Sequence, residues 1–159
     1  MLAVVAGGWW FVTRKSPQPG DVMTDATQPR GIRNNNPLNI KWNALNNWQG
    51  QTGADAQGFA IFDSPVNGIR AAARLLKNYR ASGFDTPREI ITRWTSGDGA
   101  EIQRSYIDHV SARLGIWPDE QLHEDNYELL VITMIQHENG IQPYSLDTIA
   151  QGVTAGWQG

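Results

Sequence analysis

Residues 131–144 read VITMIQHENGIQPY, an apolar run that ends on a single carboxylate, Glu138, followed at once by Asn139-Gly140. Together with the residues before it, the run predicts a helix over 124–138. Its segment 129–135 is apolar on nearly every side, which marks it as buried core. Asn-Gly then turns the chain out of the helix and can open a cleft beside the acid. A carboxyl at the end of a buried helix is partly desolvated, and desolvation raises its pKa toward the range of a general acid. A negative charge near a helix C-terminus also opposes the macrodipole, and such local conflicts are enriched at functional sites. Glu138 is therefore the first candidate for a catalytic residue; the bland alternative is a carboxylate bonded to solvent or to an Arg.

Further helices surround this one. Asp63-Ser64-Pro65 gives a start, with Ser64 as N-cap, Pro65 at the first position, and Val66, Ile69, Ala72, Ala73, Leu76 and Tyr79 at helical spacing before Gly83. Thr86 and Glu89 form a capping-box signature for a second helix with Ile90, Ile91 and Trp94 inward. A third over 101–114 places Ile102, Tyr106, Ile107, Val110 and Leu114 on one face, and Gly115 ends it. A short last helix follows Ser145, with Leu146, Ile149 and Val153 inward. Residues 31–58, rich in Asn, Gln and Gly, read as a structured loop with a short hairpin, and residues 59–62 as a strand. The expected fold is mainly α, an α+β domain with a minor β element.

The 159 residues allow one domain, placed at 31–159, plus terminal segments. Residues 1–12 form an apolar arm (LAVVAGGWWFV over 2–12) followed by Thr13-Arg14-Lys15. The run falls short of the roughly 20 residues that span a bilayer. It suits an interfacial membrane anchor, the end of a truncated membrane helix, or an arm packed on a partner protein or on its own domain. Residues 13–30, rich in Pro, Ser, Thr and Asp, read as a flexible linker.

A net charge of −3 argues against a nucleic-acid partner, which needs phosphate neutralisation. With no cysteine there is neither a disulfide framework nor a thiolate zinc site. His109, His123 and His137 match no metal-binding spacing, and neither a nucleophile elbow nor a phosphate loop is present, so no metal or cofactor is expected. Seven tryptophans suit either stacking on sugars or a partly buried core. The stretch over residues 33–42, RNNNPLNIKW, offers amides that match sugar hydroxyl and N-acetyl groups, and Trp42 and Trp48 lie beside it as a plausible saccharide wall. The same asparagines also fix turns by bonding their own backbone. Tyr106 gains interest only if it faces Glu138.

These segments resemble a known group. Asn36-Pro37-Leu38-Asn39-Ile40-Lys41, then Gly58-Phe59-Ala60-Ile61-Phe62-Asp63-Ser64 and Gly68-Ile69-Arg70, look like one motif region of lysozyme-superfamily glucosaminidases and lytic transglycosylases. Tyr106-Ile107 resembles their tyrosine motif, and Ile135-Gln136-His137-Glu138-Asn139 the helix that ends in their catalytic glutamate. In those enzymes the glutamate helix comes first; here it comes last, as in a circular permutation. The chain is also similar, over about residues 31–155, to phage virion proteins of structural or lysin type, including the peptidoglycan-degrading lysin of enveloped double-stranded RNA phages.

The resemblance implies a lysozyme-like fold acting on the MurNAc–GlcNAc backbone of bacterial peptidoglycan in the periplasm or cell wall, at work from a virion or a membrane anchor. Glu138 would be the acid and base, Tyr106 would hold the sugar, and Asn36, Asn39 and Phe62 would line the cleft, with Trp42 and Tyr144 completing the substrate-binding set. Asp63, Glu101 and Asp147 are available as a second carboxylate for hydrolysis, but no spacing selects one. The expectation is the lytic transglycosylase type. A non-catalytic virion module that binds the wall and a murein endopeptidase are the alternatives.

Overall fold

A computed structural model of the protein describes residues 27–159; the predicted arm and most of the predicted linker lie outside them. Six helices and one two-stranded sheet follow in order: α1 Arg30–Arg33, β1 Gln51–Ala54, β2 Ala60–Phe62, α2 Pro65–Ala81, α3 Pro87–Trp94, α4 Ala100–Leu114, α5 Asn126–Asn139 and α6 Leu146–Gln158. The fold is mainly α with a minor β element, as the periodicity predicts. Arg30, the last residue of the predicted linker, already belongs to α1, and its guanidinium lies 3.5 Å from the Phe59 ring centre.

Local signals set most helix starts. Ser64 accepts from the Asn67 N–H at the head of α2, with Pro65 at the first helical position. At α3 the capping box is complete: Thr86 Oγ1 accepts from Glu89 N, and Glu89 Oε2 accepts from Thr86 N. Ser145 caps α6 through the Thr148 N–H. Helix α5 starts two residues later than expected because the Asn126 side chain accepts the His123 N–H and holds 123–126 as a turn. The hairpin is antiparallel, pairing Gln51 with Phe62 and Ala54 with Ala60, with an irregularity between Gln51 and Gly53.

Buried apolar side chains from every layer meet in one core: Leu38 and Phe62 from the loop and sheet, Ile69 and Leu76 from α2, Ile90 from α3, Val110 from α4. Helix α5 runs through its middle, with Leu130, Val131, Met134 and Ile135 fully enclosed. Two residues predicted to face inward do not. Ile102 is 59 % and Leu146 64 % exposed, because each sits in a first helical turn that stands clear of its neighbours. Helix α2 is the scaffold: α6 packs along one side of it, and the loop before β1 lies on its first turn. At Gly68 a Cβ would fall 1.9 Å from the Asn35 carbonyl oxygen, so only glycine lets that loop rest on the helix.

Candidate active site

Glu138 occupies the last turn of α5, and Gly140 ends the helix in the left-handed conformation at φ 71°. Beside it Asn139 is buried, and its amide donates to Pro37 O at 2.7 Å and to Ile135 O at 2.8 Å. That pair of bonds ties loop 36–39 to the helix end. The loop is itself built by asparagines. Asn35 and Asn39 take positive φ values of 50° and 51°, which Asn tolerates better than most residues. Asn36, wholly enclosed, donates to Ile40 O and Ala60 O and accepts from Ile40 N.

The result is a carboxylate held on both oxygens. Asn39 Nδ2 donates to Glu138 Oε2 at 3.0 Å, and the Tyr106 hydroxyl on α4 donates to Oε1 at 3.3 Å. Trp94, at the end of α3, contributes a further side-chain hydrogen bond. These donors favour the charged form, yet burial outweighs them and raises the Glu138 pKa above the ordinary carboxylate value. The nearby negative charge of Asp98 pushes in the same direction.

The Tyr106 phenol is 2 % exposed, and burial together with the Glu138 charge holds its pKa well above the usual value, so it stays a donor. Its ring stacks on His137 at 3.6 Å and 14°, and His109 meets His137 edge-on at 5.3 Å. Burial and the charge of His109 lower the His137 pKa, which favours a neutral imidazole here. Among the described residues no three His, Asp or Glu side chains converge where they could hold a metal ion.

An open groove of about 290 Å³ adjoins the carboxylate, and Asn39 and Trp94 belong to both. Trp42, Asn43, Asn46, Tyr79, Arg93 and Ser96 are among the residues that line it. Exposed aromatic and amide groups side by side suit an extended polar chain with apolar ring faces, such as a glycan.

Of the sequence-predicted site residues, Glu138, Tyr106 and Asn39 meet at one point, and Trp42, 48 % exposed, lines the groove. Asn36 and Phe62 do not line it. They are 0 % and 2 % exposed, so both act through the loop and sheet they build. Tyr144 packs half-buried against the core with its hydroxyl enclosed and unpartnered, and burial pushes its pKa up to about 12. It is not among the groups that bond Glu138 or line the groove. Trp48 is also half-buried and lines a separate cavity against α2.

The carboxylates considered as partners lie elsewhere. Asp63 accepts from Asn67 at 2.7 Å, and Glu101 and Asp147 are exposed first-turn residues. Asp98, not singled out from the sequence, is the carboxylate whose charge reaches Glu138. The signal available was its setting: Ser96-Gly97-Asp98-Gly99 is a turn directly before the helix that carries Tyr106. Trp94 and Asn139 were likewise missed as site residues.

Chemically, a desolvated carboxyl with donors on both oxygens and an open groove beside it can deliver a proton to a bound bridging oxygen and later take one back. No model of a known protein family matches the chain. It is 37 % identical over 134 residues to Protein P5 of Pseudoalteromonas phage PM2, an alignment that covers 82 % of this chain and 83 % of that protein. At that identity and coverage the chain belongs to the family of this phage protein.

Proposed function

We propose that this phage protein cleaves the MurNAc–GlcNAc backbone of peptidoglycan as a lytic transglycosylase of lysozyme-like type, carried in the virion. The observation that supports it most is the Glu138 carboxyl, its pKa raised by burial, fixed by Asn39 and Tyr106 at the end of a sugar-sized groove. Protonated Glu138 gives its proton to the glycosidic oxygen as the bond from C1 to that oxygen breaks. The carboxylate then takes the proton of the sugar's own 6-hydroxyl, whose oxygen closes on C1. The product is a 1,6-anhydro sugar, and Glu138 is protonated again.

Asn39 and Tyr106 hold the carboxylate in one orientation through both steps, and the high pKa of Tyr106 keeps it a donor when Glu138 is charged. Trp42, Asn43 and Asn46 bind the glycan. The apolar arm over residues 1–12 would hold the enzyme in the particle or at a membrane, and the linker would let it reach the wall. No helix among the described residues is long and apolar enough to cross a membrane. Removing residues 1–26 is expected to leave activity on isolated murein and to change where the protein is found; loss of both would contradict this layout.

Asp98 favours one second reading, hydrolysis with Asp98 activating a water molecule. The test is solubilisation of purified murein by the parent, Glu138→Gln and Asp98→Asn. Loss in Glu138→Gln alone fits the transglycosylase, and loss in both fits hydrolysis. Binding without release of fragments by the parent would make the protein a structural wall-binding module of the virion.

A further inference from the structure

The groove continues past the site. Tyr79, Arg93 and Ser96 line it and also line a second, adjoining hollow that Phe84, Arg88, Glu89 and Thr92 complete, Glu89 being engaged by Asp85 N, Thr86 N and Thr86 Oγ1 at the head of α3. Arg93 stands at the junction. Its guanidinium lies 5.1 Å from the Tyr79 ring centre and 4.7 Å from that of Phe84, so two rings hold it in place. Its neighbour Arg88 is engaged by Asp119 at 2.6 Å, whereas Arg93 has no carboxylate partner among the described residues. The side chain is exposed, and Lys41 adds a second cation to the same groove. Two cations, Arg93 and Lys41, thus line the groove in a chain whose net charge is −3.

A neutral glycan has no use for a guanidinium without a carboxylate partner. We infer that Arg93 is a specificity-determining residue that binds a carboxylate of the murein peptide stem, seating the stem in the second hollow while the glycan lies toward Glu138. This rests on the proposed glycan-cleaving function. A guanidinium fork suits carboxylate recognition, and two aromatic walls pre-set its orientation. A cation in the last turn of α3 also meets that helix's dipole, which is the competing structural role. That role would change stability, but it would not distinguish one polymer from another.

The experiment measures binding by the full chain carrying Glu138→Gln, so that cleavage does not interfere. Two polymers are used: native insoluble murein, and the same murein with its carboxylates converted to neutral amides. Arg93→Gln on this background is expected to weaken binding to native murein about tenfold and to leave binding to the neutralised polymer unchanged, with Arg93→Lys recovering part of the loss. Equal binding by Arg93→Gln and its parent on native murein would overturn the assignment, as would an equal fall on both polymers. Absence of murein binding by the Glu138→Gln parent would overturn it together with the function it rests on, and is distinct from either result.

Discussion

Two asparagine-rich segments lie a few residues apart and do opposite work. In loop 34–39 every asparagine side chain bonds within the fold: Asn34 to Asp55, Asn35 to Phe62 O, Asn36 to Ile40 and Ala60, Asn39 to Glu138. In loop 42–47 Asn43 makes only a local bond to Leu45 N, and the segment is largely exposed on the groove rim beside Trp42. The first loop is a mould for the carboxylate, and the second is free to meet a ligand. Amide content cannot separate the two; burial and partners do.

The comparison breaks most visibly at Glu138 and its mould. Glu138→Gln is expected to lower release of soluble murein fragments by about 10³-fold, the scale of a lost general acid, with the fold intact. Replacing Asn36 by Ala removes three buried hydrogen bonds and is expected to cost about 3 kcal/mol, read by urea unfolding, with activity falling as the loop loosens. Tyr106→Phe deletes one donor to Glu138 at little change in volume, so activity should drop about tenfold with its pH profile shifted to higher pH. On the rim, Trp42→Ala should raise KM about fivefold while the melting temperature stays within roughly 1 °C. A rim substitution that destabilises, or a mould substitution that changes only KM, would invert the assignment of the two loops.

The smallest effect is one of pH. The folded Glu138 pKa lies above the unfolded value, so the native state keeps a proton that the unfolded chain releases. Stability from this group is complete below the ordinary carboxylate range and is lost as pH rises through the raised value. Glu138→Gln has no such loss. Its melting temperature relative to the parent should therefore rise as pH climbs from the ordinary carboxylate range through the raised value, and level off above it. A constant difference across that range would remove the raised pKa.

Much of the fold was legible because its signals are local. The caps at Ser64, Thr86 and Ser145 each act within three residues, and the structure realises all three. The place of Glu138 in the last turn of α5 was legible for the same reason, from an apolar helix followed by Asn-Gly. What a side chain of loop 34–39 does was not, because its partners are remote: Asn39 bonds a residue 99 positions away, and Asn139 one 102 positions away. Phe62 and Trp42 are both aromatic residues near the same motif, and only packing sends one to the core and the other to the rim. Ile102 and Leu146 show the reverse, correct spacing in a first turn that has nothing to pack against.

The most direct test of the central claim is mass spectrometry of the soluble products released from purified murein by the parent and by Glu138→Gln. The account predicts anhydromuropeptides from the parent and none from the variant. Anhydromuropeptides from both, or reducing or peptide-cleaved products from the parent, would contradict it.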